Sequence, residues 1–412
     1  MNHFVNWIKK HWSTIVISTF LILYAIKEGL FNAGSEDFRI FLGAAEAMKQ
    51  NSNLYFVYFN TGKGFAMPYA YTPFFAMILI PFLYVFSIKN IVFLWMILNI
   101  IFINRILSIL SRIFNFESKH KAALIIFLLS LRFVLHNYDM AQVTIFWVYL
   151  MAEAYYQIEY KEKIKTSSAL IALGVSIKIL PVLMCFYFLI RRKYSAILWT
   201  LFFTMTYTVL PYLFFPTSYL NIQFMDCWKT INPFQEGFTY QLFDRATQSI
   251  PSLVSNYNDY FGNVLNHTQT FLLILLFMFF WLVSVYLIYI KSNILTYKNE
   301  VLFSLTVFSA TMLLPHQQHY SFFSAIALYA LWYYWVWEEK RYSKIAFGFF
   351  MLSTLFMTFT SDIFVGNELK SIFKSYGVIG LGGILLLISV FINIFHLKNT
   401  SIKTQNPQST TF

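Results

Sequence analysis

Long apolar runs follow one another along almost the whole of this 412-residue chain. Many of them approach the roughly 20 residues that an α-helix needs to cross a bilayer. Hydrophobic residues make up 58% of the chain and charged residues 12%, about half the charged fraction of an ordinary soluble protein. The runs are continuous and do not alternate with polar residues, which disfavours a transmembrane β-barrel. The sequence therefore predicts an all-α polytopic membrane protein.

The positions of these runs predict about 11–13 transmembrane helices. The runs fall at 13–32, 74–88, 91–110, 122–136, 139–157, 167–190, 194–215, 270–291, 300–315, 319–337, 343–360 and 375–397. The first run follows Lys9 and Lys10 and lacks a small-residue cleavage site, which predicts a retained helix with a cytoplasmic N-terminus. We expect one transmembrane domain over residues 1–397 and a disordered polar tail over 398–412.

Two basic clusters leave the topology of residues 158–193 open. One cluster contains Lys161, Lys163 and Lys165, and the other spans residues 191–193. If both are cytoplasmic, the run at 167–190 must enter the membrane and return as two short half-helices. Alternatively, the first cluster lies outside and breaks the positive-inside rule.

The net charge of +12 lies mostly in short loops and at the C-terminus. This distribution is typical of topology signals and of contact with anionic membrane lipids, and it does not favour a nucleic-acid partner. The two cysteines, Cys185 and Cys227, provide neither a disulfide framework nor metal-ligand spacing.

Two long segments, 31–73 and 216–269, are too polar to cross the membrane, and both are expected outside the cytoplasm. The first contains apolar residues at helical spacing: Phe38, Phe41, Leu42, Ala45 and Met48. This spacing predicts an amphipathic helix along the membrane surface. Ser35 is a suitable N-cap for it, and Glu36 and Asp37 occupy its favourable first turn.

Asp37 is the strongest candidate for a catalytic residue. A carboxylate fixed at the lipid–water boundary can act as a general base and accept the proton of an attacking hydroxyl. The alternative is simple helix capping at an interface. Adjacent helical residues point in different directions, so Glu36 is a poor acid partner for Asp37 and fits a supporting role at the helix start. One base suffices when the leaving group departs without protonation, as a phosphate can.

Lys178 is a charged residue inside an apolar run, three residues before Pro181. A charge within the membrane is costly, so it predicts a functional site. Pro181 supplies a helix break that can direct Lys178 towards a cavity. The alternatives are a short loop between half-helices and snorkelling of the side chain. A lysine here is well suited to binding a lipid-linked phosphate.

Other polar residues have weaker claims to a site. His316 and His319 could share a helix face, but two ligands are a weak metal signal. A polar helix junction, or contact with a phosphate or an acceptor, explains them as well. Gln142, Arg245 and Gln248 are most simply loop residues, with cavity lining as the alternative.

These motifs in this order resemble those of the GT-C-type membrane glycosyltransferases, especially glycosyltransferase family 87 and related lipid-linked mannosyltransferases. Asp37-Phe38-Arg39 resembles the acidic–aromatic start of the family's first outer loop. Tyr69-Ala70-Tyr71-Thr72-Pro73 resembles its re-entry motif, and Lys178-Ile179-Leu180-Pro181 its Lys-x-x-Pro element. Ala141-Gln142 stands where the family has Gly-Gln, and Thr247-Gln248-Ser249 where it has Asn-Gln-Ser. His319 resembles its late histidine.

The resemblance implies a GT-C-type helix bundle that catalyses inverting transfer of a sugar, commonly mannose or another hexose. The donor would be a polyprenyl-phosphate sugar, and the acceptor a glycan or lipid outside the cytoplasmic membrane. Asp37 would be the base, with neither a nucleotide-sugar donor nor an obligatory metal or other cofactor. Lys178 would hold the donor phosphate.

The other site residues would assist these two. The candidates for further donor or substrate contacts are Arg245, His316, His319, Gln142, Gln248 and Glu36, and Tyr69 and Tyr71 would shape the cavity or stack on sugar rings. A transporter or flippase of lipid-linked glycans is the alternative from another class, although no internal repeat favours it. An O-antigen ligase or polymerase is a third possibility.

Overall fold

The computed structural model describes residues 2–31, 36–61, 66–231, 247–315 and 317–405. The chain is 81% helical, with 17 helices and almost no sheet in the part described. The prediction of an all-α polytopic membrane protein is confirmed.

Five helical segments in the described ranges are long and apolar enough to cross a membrane. They are Ile88–Ile113, Lys119–Asp139, Tyr194–Leu213, Thr268–Lys291 and Val378–Thr400. Four further apolar helices are shorter: Pro73–Val85, Ile164–Ile177, Leu180–Ile190 and Lys344–Thr358. These segments make the chain a multi-pass membrane protein. The total of 11–13 crossings and their direction stay predictions.

The chain divides into two compact units. Unit 1 contains Met1–Ile109 and Phe133–Tyr240, and unit 2 contains Leu110–Arg132 and Gln241–Phe412. The prediction of a single transmembrane domain over 1–397 stays a prediction. The last helix continues to Gln405, eight residues into the segment expected to be a polar tail, and residues 406–412 lie outside those described.

Unit 1 contains ten helices in whole or in part and one small hairpin within the described ranges. The helices are α1 (Asn2–Phe31), α2 (Glu36–Lys49), α3 (Pro73–Val85), α4 (Ile88–Ile113), the end of α5 (Lys119–Asp139), α6 (Thr144–Tyr160), α7 (Ile164–Ile177), α8 (Met184–Ile190), α9 (Tyr194–Val209) and α10 (Thr217–Ile231). Strands β1 (Tyr58–Asn60) and β2 (Ala66–Pro68) pair antiparallel, with Phe59 opposite Met67.

Helix α2 is the amphipathic helix that the spacing predicts. Each of the five apolar residues named for its face is at most 1% exposed. Phe41 packs edge-on against Tyr71 with 4.6 Å between ring centroids, and Phe38 stacks on Trp95 at 5.1 Å. These contacts fix the first turn of α2, and therefore Asp37, against α4 and the segment before α3.

Helix α6 forms much of the core of unit 1, since most of its residues are buried. A bidentate ion pair joins it to α4: Arg105 Nε and Nη2 donate to the Glu153 carboxylate at 2.7 and 3.0 Å. Gln157 also donates to Glu153, at 2.6 Å. A buried charge is tolerated when it is paired and hydrogen-bonded in this way.

The C-terminal end of α6 decides between the two topologies left open at 158–193. The Glu159 carboxylate lies 2.8 Å from Lys193 Nζ and 3.6 Å from Arg191 Nη2, and it accepts a hydrogen bond from Tyr187 at 2.7 Å. Glu159 directly precedes the first basic cluster, so both clusters lie at the same end of unit 1. The apolar segment between them, residues 167–190, therefore extends away from that end and returns to it, as the first alternative requires.

The turning point of this run is Lys178. Helix α7 ends at Ile177, Lys178 is extended, and a 3₁₀ turn at Leu180–Leu183 leads into α8. The turn brings Pro181 close to α7, since a Cβ on Gly174 would lie 2.8 Å from Pro181 Cγ. With about 1.5 Å per residue, the 14 residues of α7 span about 21 Å, less than the hydrocarbon core of about 30 Å.

Unit 2 contains seven helices and most of α5 in its described ranges. The helices are α11 (Ile250–Tyr260), α12 (His267–Lys291), α13 (Lys298–Leu313), α14 (Ile326–Tyr333), α15 (Lys344–Thr358), α16 (Asp362–Ser375) and α17 (Val378–Gln405). A 3₁₀ helix at His319–Ala325 precedes α14, and a π-helical turn at Tyr334–Glu338 follows it.

The core of unit 2 lies around α13, in which every residue from Glu300 to Leu313 is buried. Helix α17 packs closely on α15, because a Cβ on Gly382 would lie 2.7 Å from Met357 Cγ and Ser353 donates to the Gly382 carbonyl at 2.7 Å. Arg132 on α5 donates to the Met357 carbonyl at 2.7 Å, which satisfies a carbonyl at the end of α15.

Candidate functional site

Asp37 is held by a side chain that lies far from it in the sequence of unit 1. Its carboxylate is half-buried and accepts a hydrogen bond from Gln142 Nε2. Gln142 is 1% exposed, and its Oε1 accepts from the Val143 amide at 3.3 Å. This second bond fixes the amide so that its NH₂ group faces Asp37. The Asp37 carboxylate is therefore held by a donor whose own orientation is fixed.

The backbone before Gln142 explains the Ala141-Gln142 motif. After α5, the Gln142 amide donates to the Asn137 carbonyl at 2.9 Å and the Ala141 amide to the Tyr138 carbonyl at 3.1 Å. These two bonds form a Schellman motif, in which the residue at the Ala141 position is left-handed and is usually glycine. Ala141 indeed has φ 44°. The glycine of the resembled family thus fits a backbone requirement that this chain meets with alanine.

We predict that Ala141→Gly is tolerated far better than an alanine-to-glycine change within a helix. Ala141 and Ala154 in α6 are both fully buried, so each variant loses one buried methyl group. Only position 141 is relieved of a left-handed conformation, which costs an L-residue about 1–2 kcal/mol. The midpoint temperature of thermal unfolding in detergent should be higher for Ala141→Gly than for Ala154→Gly. The margin should correspond to the difference of about 1–2 kcal/mol in the free energy of unfolding. Equal midpoints would contradict the strain at position 141.

The segment before α3 presents Tyr71 to the site and buries Tyr69 beneath it. Tyr69 is fully buried and donates to the Thr72 carbonyl at 2.7 Å. Tyr55 donates to the Tyr71 carbonyl at 2.5 Å. Tyr71 itself is half-buried, with its ring 5.7 Å from that of Tyr69. Tyr69 therefore supports the turn, and Tyr71 is the more exposed of the two tyrosines.

Tyr71 lies beside both charged residues of the site. Burial, and to a lesser degree the negative charge of Asp37, raises the pKa of Tyr71 well above its ordinary value, so the phenol stays neutral. The Lys178 ammonium lies 6.0 Å from the centre of the Tyr71 ring and interacts electrostatically with Asp37. The structure thus brings together Asp37, Gln142, Tyr71 and Lys178 from four separate segments.

One hydrogen bond joins the two halves of this cluster. The Thr72 hydroxyl donates to the backbone carbonyl of Ser176, two residues before Lys178. The Tyr-x-Tyr-x-Pro motif is therefore hydrogen-bonded to the chain just before the Lys-x-x-Pro motif. This bond links the segment that holds Tyr71 to the segment that holds Lys178, and the sequence predicted a site role for neither partner.

Three further supporting residues were missed in the sequence. Trp95 Nε1 donates to the Gln142 carbonyl at 3.1 Å while its ring stacks on Phe38. Gln223 on α10 accepts from the Leu54 amide at 2.9 Å, and Cys227 lies 3.9 Å from the Tyr71 carbonyl. Uncharged residues of this kind carry no distinctive spacing, so only the structure reveals them.

Two of the predicted binding residues that the structure describes, Gln248 and His319, belong to unit 2. Gln248 is fully buried, its backbone amide donates to the Gln317 carbonyl at 2.8 Å, and its Nε2 donates to the Lys374 carbonyl at 3.0 Å. His319 is half-buried and begins the 3₁₀ helix at His319–Ala325. Unit 2 thus brings Gln248 to the segment just before His319.

The remaining predicted site residues lie outside those described. Arg245 and His316 are in this group, as is the side chain of Glu36, whose backbone begins α2. Their predicted contacts stay predictions.

The arrangement in unit 1 places a carboxylate and an ammonium group beside the same tyrosine. A hydroxyl that reaches Asp37 can give up its proton there, and an anion that reaches Lys178 is stabilised. Such a site suits a displacement in which a hydroxyl attacks and an anionic group departs.

The comparisons with known proteins identify the family of the chain. No curated protein matches the chain. The family model described as "Glycosyltransferase family 87" matches residues 69–315, more than half of the chain. The match includes Tyr71, Gln142 and Lys178, whereas Asp37 lies upstream and joins them through the contacts described above. The chain is a membrane protein that belongs to glycosyltransferase family 87.

Proposed function

We propose that this glycosyltransferase transfers a hexose, with mannose the first candidate, from a polyprenyl-phosphate donor to a hydroxyl of a glycan or lipid acceptor. The reaction inverts the anomeric configuration. It takes place at the extracytoplasmic side of the cytoplasmic membrane.

The observation that carries the proposal is the pairing of Asp37 and Lys178 around Tyr71. A carboxylate supplied by α2 and an ammonium supplied by the link after α7 interact electrostatically across the same tyrosine. A base alone would suit many reactions. A base with a cation suits transfer to a hydroxyl with loss of an anionic leaving group.

The proposed step balances without a second carboxylic acid. The acceptor oxygen forms a bond to the anomeric carbon from the face opposite the phosphate, and its proton passes to the Asp37 carboxylate. The bond between the anomeric carbon and the phosphate oxygen breaks, and its electron pair leaves with the polyprenyl phosphate. Lys178 stabilises the negative charge of that phosphate. Glycosidases need a protonating acid because they expel an alkoxide, and a phosphate does not require one.

The supporting residues have defined roles in this proposal. Gln142 orients the Asp37 carboxylate through its fixed amide. Tyr71 stays neutral between the two charges and offers its ring edge and hydroxyl to the sugar. Thr72 holds the Lys178 segment in register with Tyr71.

The position of Lys178 also favours a lipid-linked donor. It lies at the turning point between two short helices in an apolar part of the chain. A phosphate carried on a prenyl chain can reach such a point from within the membrane, whereas a free nucleotide sugar has no apolar portion to bring it there.

The test is transfer by the purified full-length protein in liposomes with a panel of donors. The panel contains polyprenyl-phosphate mannose, glucose and galactose, with GDP-mannose and UDP-glucose for comparison, and a mixture of oligosaccharide and lipid acceptors. We expect transfer from one polyprenyl-phosphate hexose, with an inverted anomeric centre by NMR. Transfer from nucleotide sugars only, or retention of configuration, would contradict the proposal. Movement of the donor between leaflets without transfer would favour a flippase.

A further inference from the structure

Helix α16 forms the turn at one end of the hairpin of α15 and α17. The two long helices pack closely where Ser353 donates to the Gly382 carbonyl at 2.7 Å. Helix α15 ends at Thr358 and α17 begins at Val378, so each extends only about 6–8 Å beyond this contact. Both helices are apolar, and α17 contains a candidate membrane span from Val378 to Thr400. Helix α16 therefore lies at the boundary where the apolar part of this hairpin ends.

The regular part of α16 carries one continuous apolar face. Gly366 interrupts the helix with φ 76°, so the regular part covers residues 367–375. The apolar face consists of residues three or four positions apart, which helical periodicity places side by side: Leu369, Ile372, Phe373 and the C-cap residue Tyr376. Three of these side chains are 43–48% exposed, and that of Phe373 is half-buried. An exposed apolar face of this kind marks a surface that contacts a partner or a membrane.

Exposed aromatic residues of a second segment adjoin this face. The Tyr376 ring meets the Tyr260 ring edge-on with 5.9 Å between centroids, and Tyr260 lies 5.5 Å from Phe261. Both Tyr260 and Phe261 are exposed, and the next candidate span begins at Thr268. Exposed tyrosines therefore lie just before two spans, as in the aromatic belts at the lipid–water boundary of membrane proteins.

One side of α16 next to the apolar face is basic. Lys370 and Lys374 are four residues apart, so they share this basic flank of the helix. Glu368, the one acidic residue of the regular part, lies on the other side of the apolar face. A lysine beside an apolar helix face can keep its stem on apolar surface and extend its ammonium group to a lipid phosphate.

Hydrogen bonds to main-chain carbonyls fix the end of α16 to the rest of unit 2. Gln248 Nε2 donates to the Lys374 carbonyl at 3.0 Å, and the Tyr257 hydroxyl donates to the Tyr376 carbonyl at 3.0 Å. The apolar face is therefore presented by an anchored helix. The predicted site residue Gln248 has a role in holding it.

We infer that α16 lies on the membrane surface, with its apolar face among the acyl chains and its basic flank beside the phosphates of anionic lipids. Its place between two apolar helices brings it to the lipid–water boundary. The basic flank favours an anionic lipid surface over a second copy of the chain, which would bring the same positive charges.

The test is photo-crosslinking of the full-length protein in nanodiscs that each hold one copy of the chain. In one variant p-benzoylphenylalanine replaces Ile372 on the apolar face, and in another it replaces the neighbouring Ser371. Ser371 is also exposed but lies away from the apolar face. We expect several times more lipid adducts, detected by mass spectrometry, at position 372 than at position 371. Equal yields at the two positions, or no lipid adduct at position 372, overturn the inference.

The same variants distinguish lipid from a second copy of the chain. In liposomes that hold many copies, position 372 should still form lipid adducts. A covalent dimer formed from position 372 in place of these adducts would assign the apolar face to a protein interface and overturn the inference.

Lipid charge tests the basic flank. In nanodiscs of equimolar phosphatidylglycerol and phosphatidylcholine, position 372 should form adducts preferentially with the anionic lipid. The combined change Lys370→Gln and Lys374→Gln should reduce this preference by about 2–5-fold for each lysine. Lys344→Gln, at an exposed lysine at the opposite end of α15, should leave it unchanged. An unchanged preference in the double variant overturns the inference.

The double variant should keep its fold, because Gln248 binds the main-chain carbonyl of Lys374 and not its side chain. Its melting temperature should therefore equal that of the native chain. The crosslinking results concern contact with lipid only, so they hold whichever donor the chain uses.

Discussion

Sugar transfer should fall about 100–10,000-fold when Asp37 is replaced by Asn, the range for loss of a general base. Asparagine has the same shape as aspartate and keeps an oxygen that can accept the hydrogen bond from Gln142. The variant should therefore fold and bind the donor, and lose only the group that accepts the proton. Initial rates with the active donor in liposomes, together with the melting temperature, measure both properties.

Glu46→Gln is the matched control for Asp37→Asn. Glu46 lies on the same helix, with a side chain that is 43% exposed and paired with Lys49 at 3.4 Å. Loss of this exposed pair should change stability and activity little. Full transfer activity in Asp37→Asn would disprove its role as the base, and loss of activity in both variants would assign the effect to α2 as a whole.

Removal of the positive charge in Lys178→Met should reduce kcat/KM for the donor about 10–100-fold, which corresponds to one charge-assisted hydrogen bond of about 1.5–3 kcal/mol. Methionine keeps most of the length and apolar surface of the lysine side chain, so the turn after α7 should persist. We expect the effect in the KM for the donor, because the phosphate is bound before transfer, and also in kcat, because its negative charge grows as it leaves.

The experiment for Lys178 compares donor and acceptor titrations. The KM for the acceptor should change little in Lys178→Met, since the acceptor carries no phosphate in the proposed reaction. Lys229→Met is the control, because Lys229 forms an exposed ion pair with Asp226 on the surface of α10. A Lys178 variant with unchanged donor dependence would reassign this lysine to membrane topology.

The helical architecture was largely predictable because burial in lipid requires long apolar runs. The spacing of Phe38, Phe41 and Met48 also predicts the buried face of α2 correctly. Short elements were not predictable, since the hairpin of β1 and β2 has only three residues in each strand. The course of residues 158–193 required the ion pairs of Glu159, whose partners are separated in sequence and carry no shared pattern.

The charged residues of the candidate site were predictable from the sequence. Asp37 and Lys178 stand out in an apolar sequence because a charge is costly there. The order of the motifs added Gln142 and Tyr71. Supporting contacts use main-chain carbonyls, a tryptophan ring and hydroxyl groups, as in Trp95 and Thr72, and such residues are common throughout a membrane protein.

The bond from Thr72 to the Ser176 carbonyl has a consequence for evolutionary comparison. Its acceptor belongs to the main chain, so almost any residue at position 176 provides it, and only position 72 must keep a hydroxyl. Substitutions at the two positions therefore do not need to compensate for each other. We expect little covariation between positions 72 and 176 in related sequences, although a hydrogen bond joins them. Contact inference from covariation would then miss the link that places the cation beside the tyrosine.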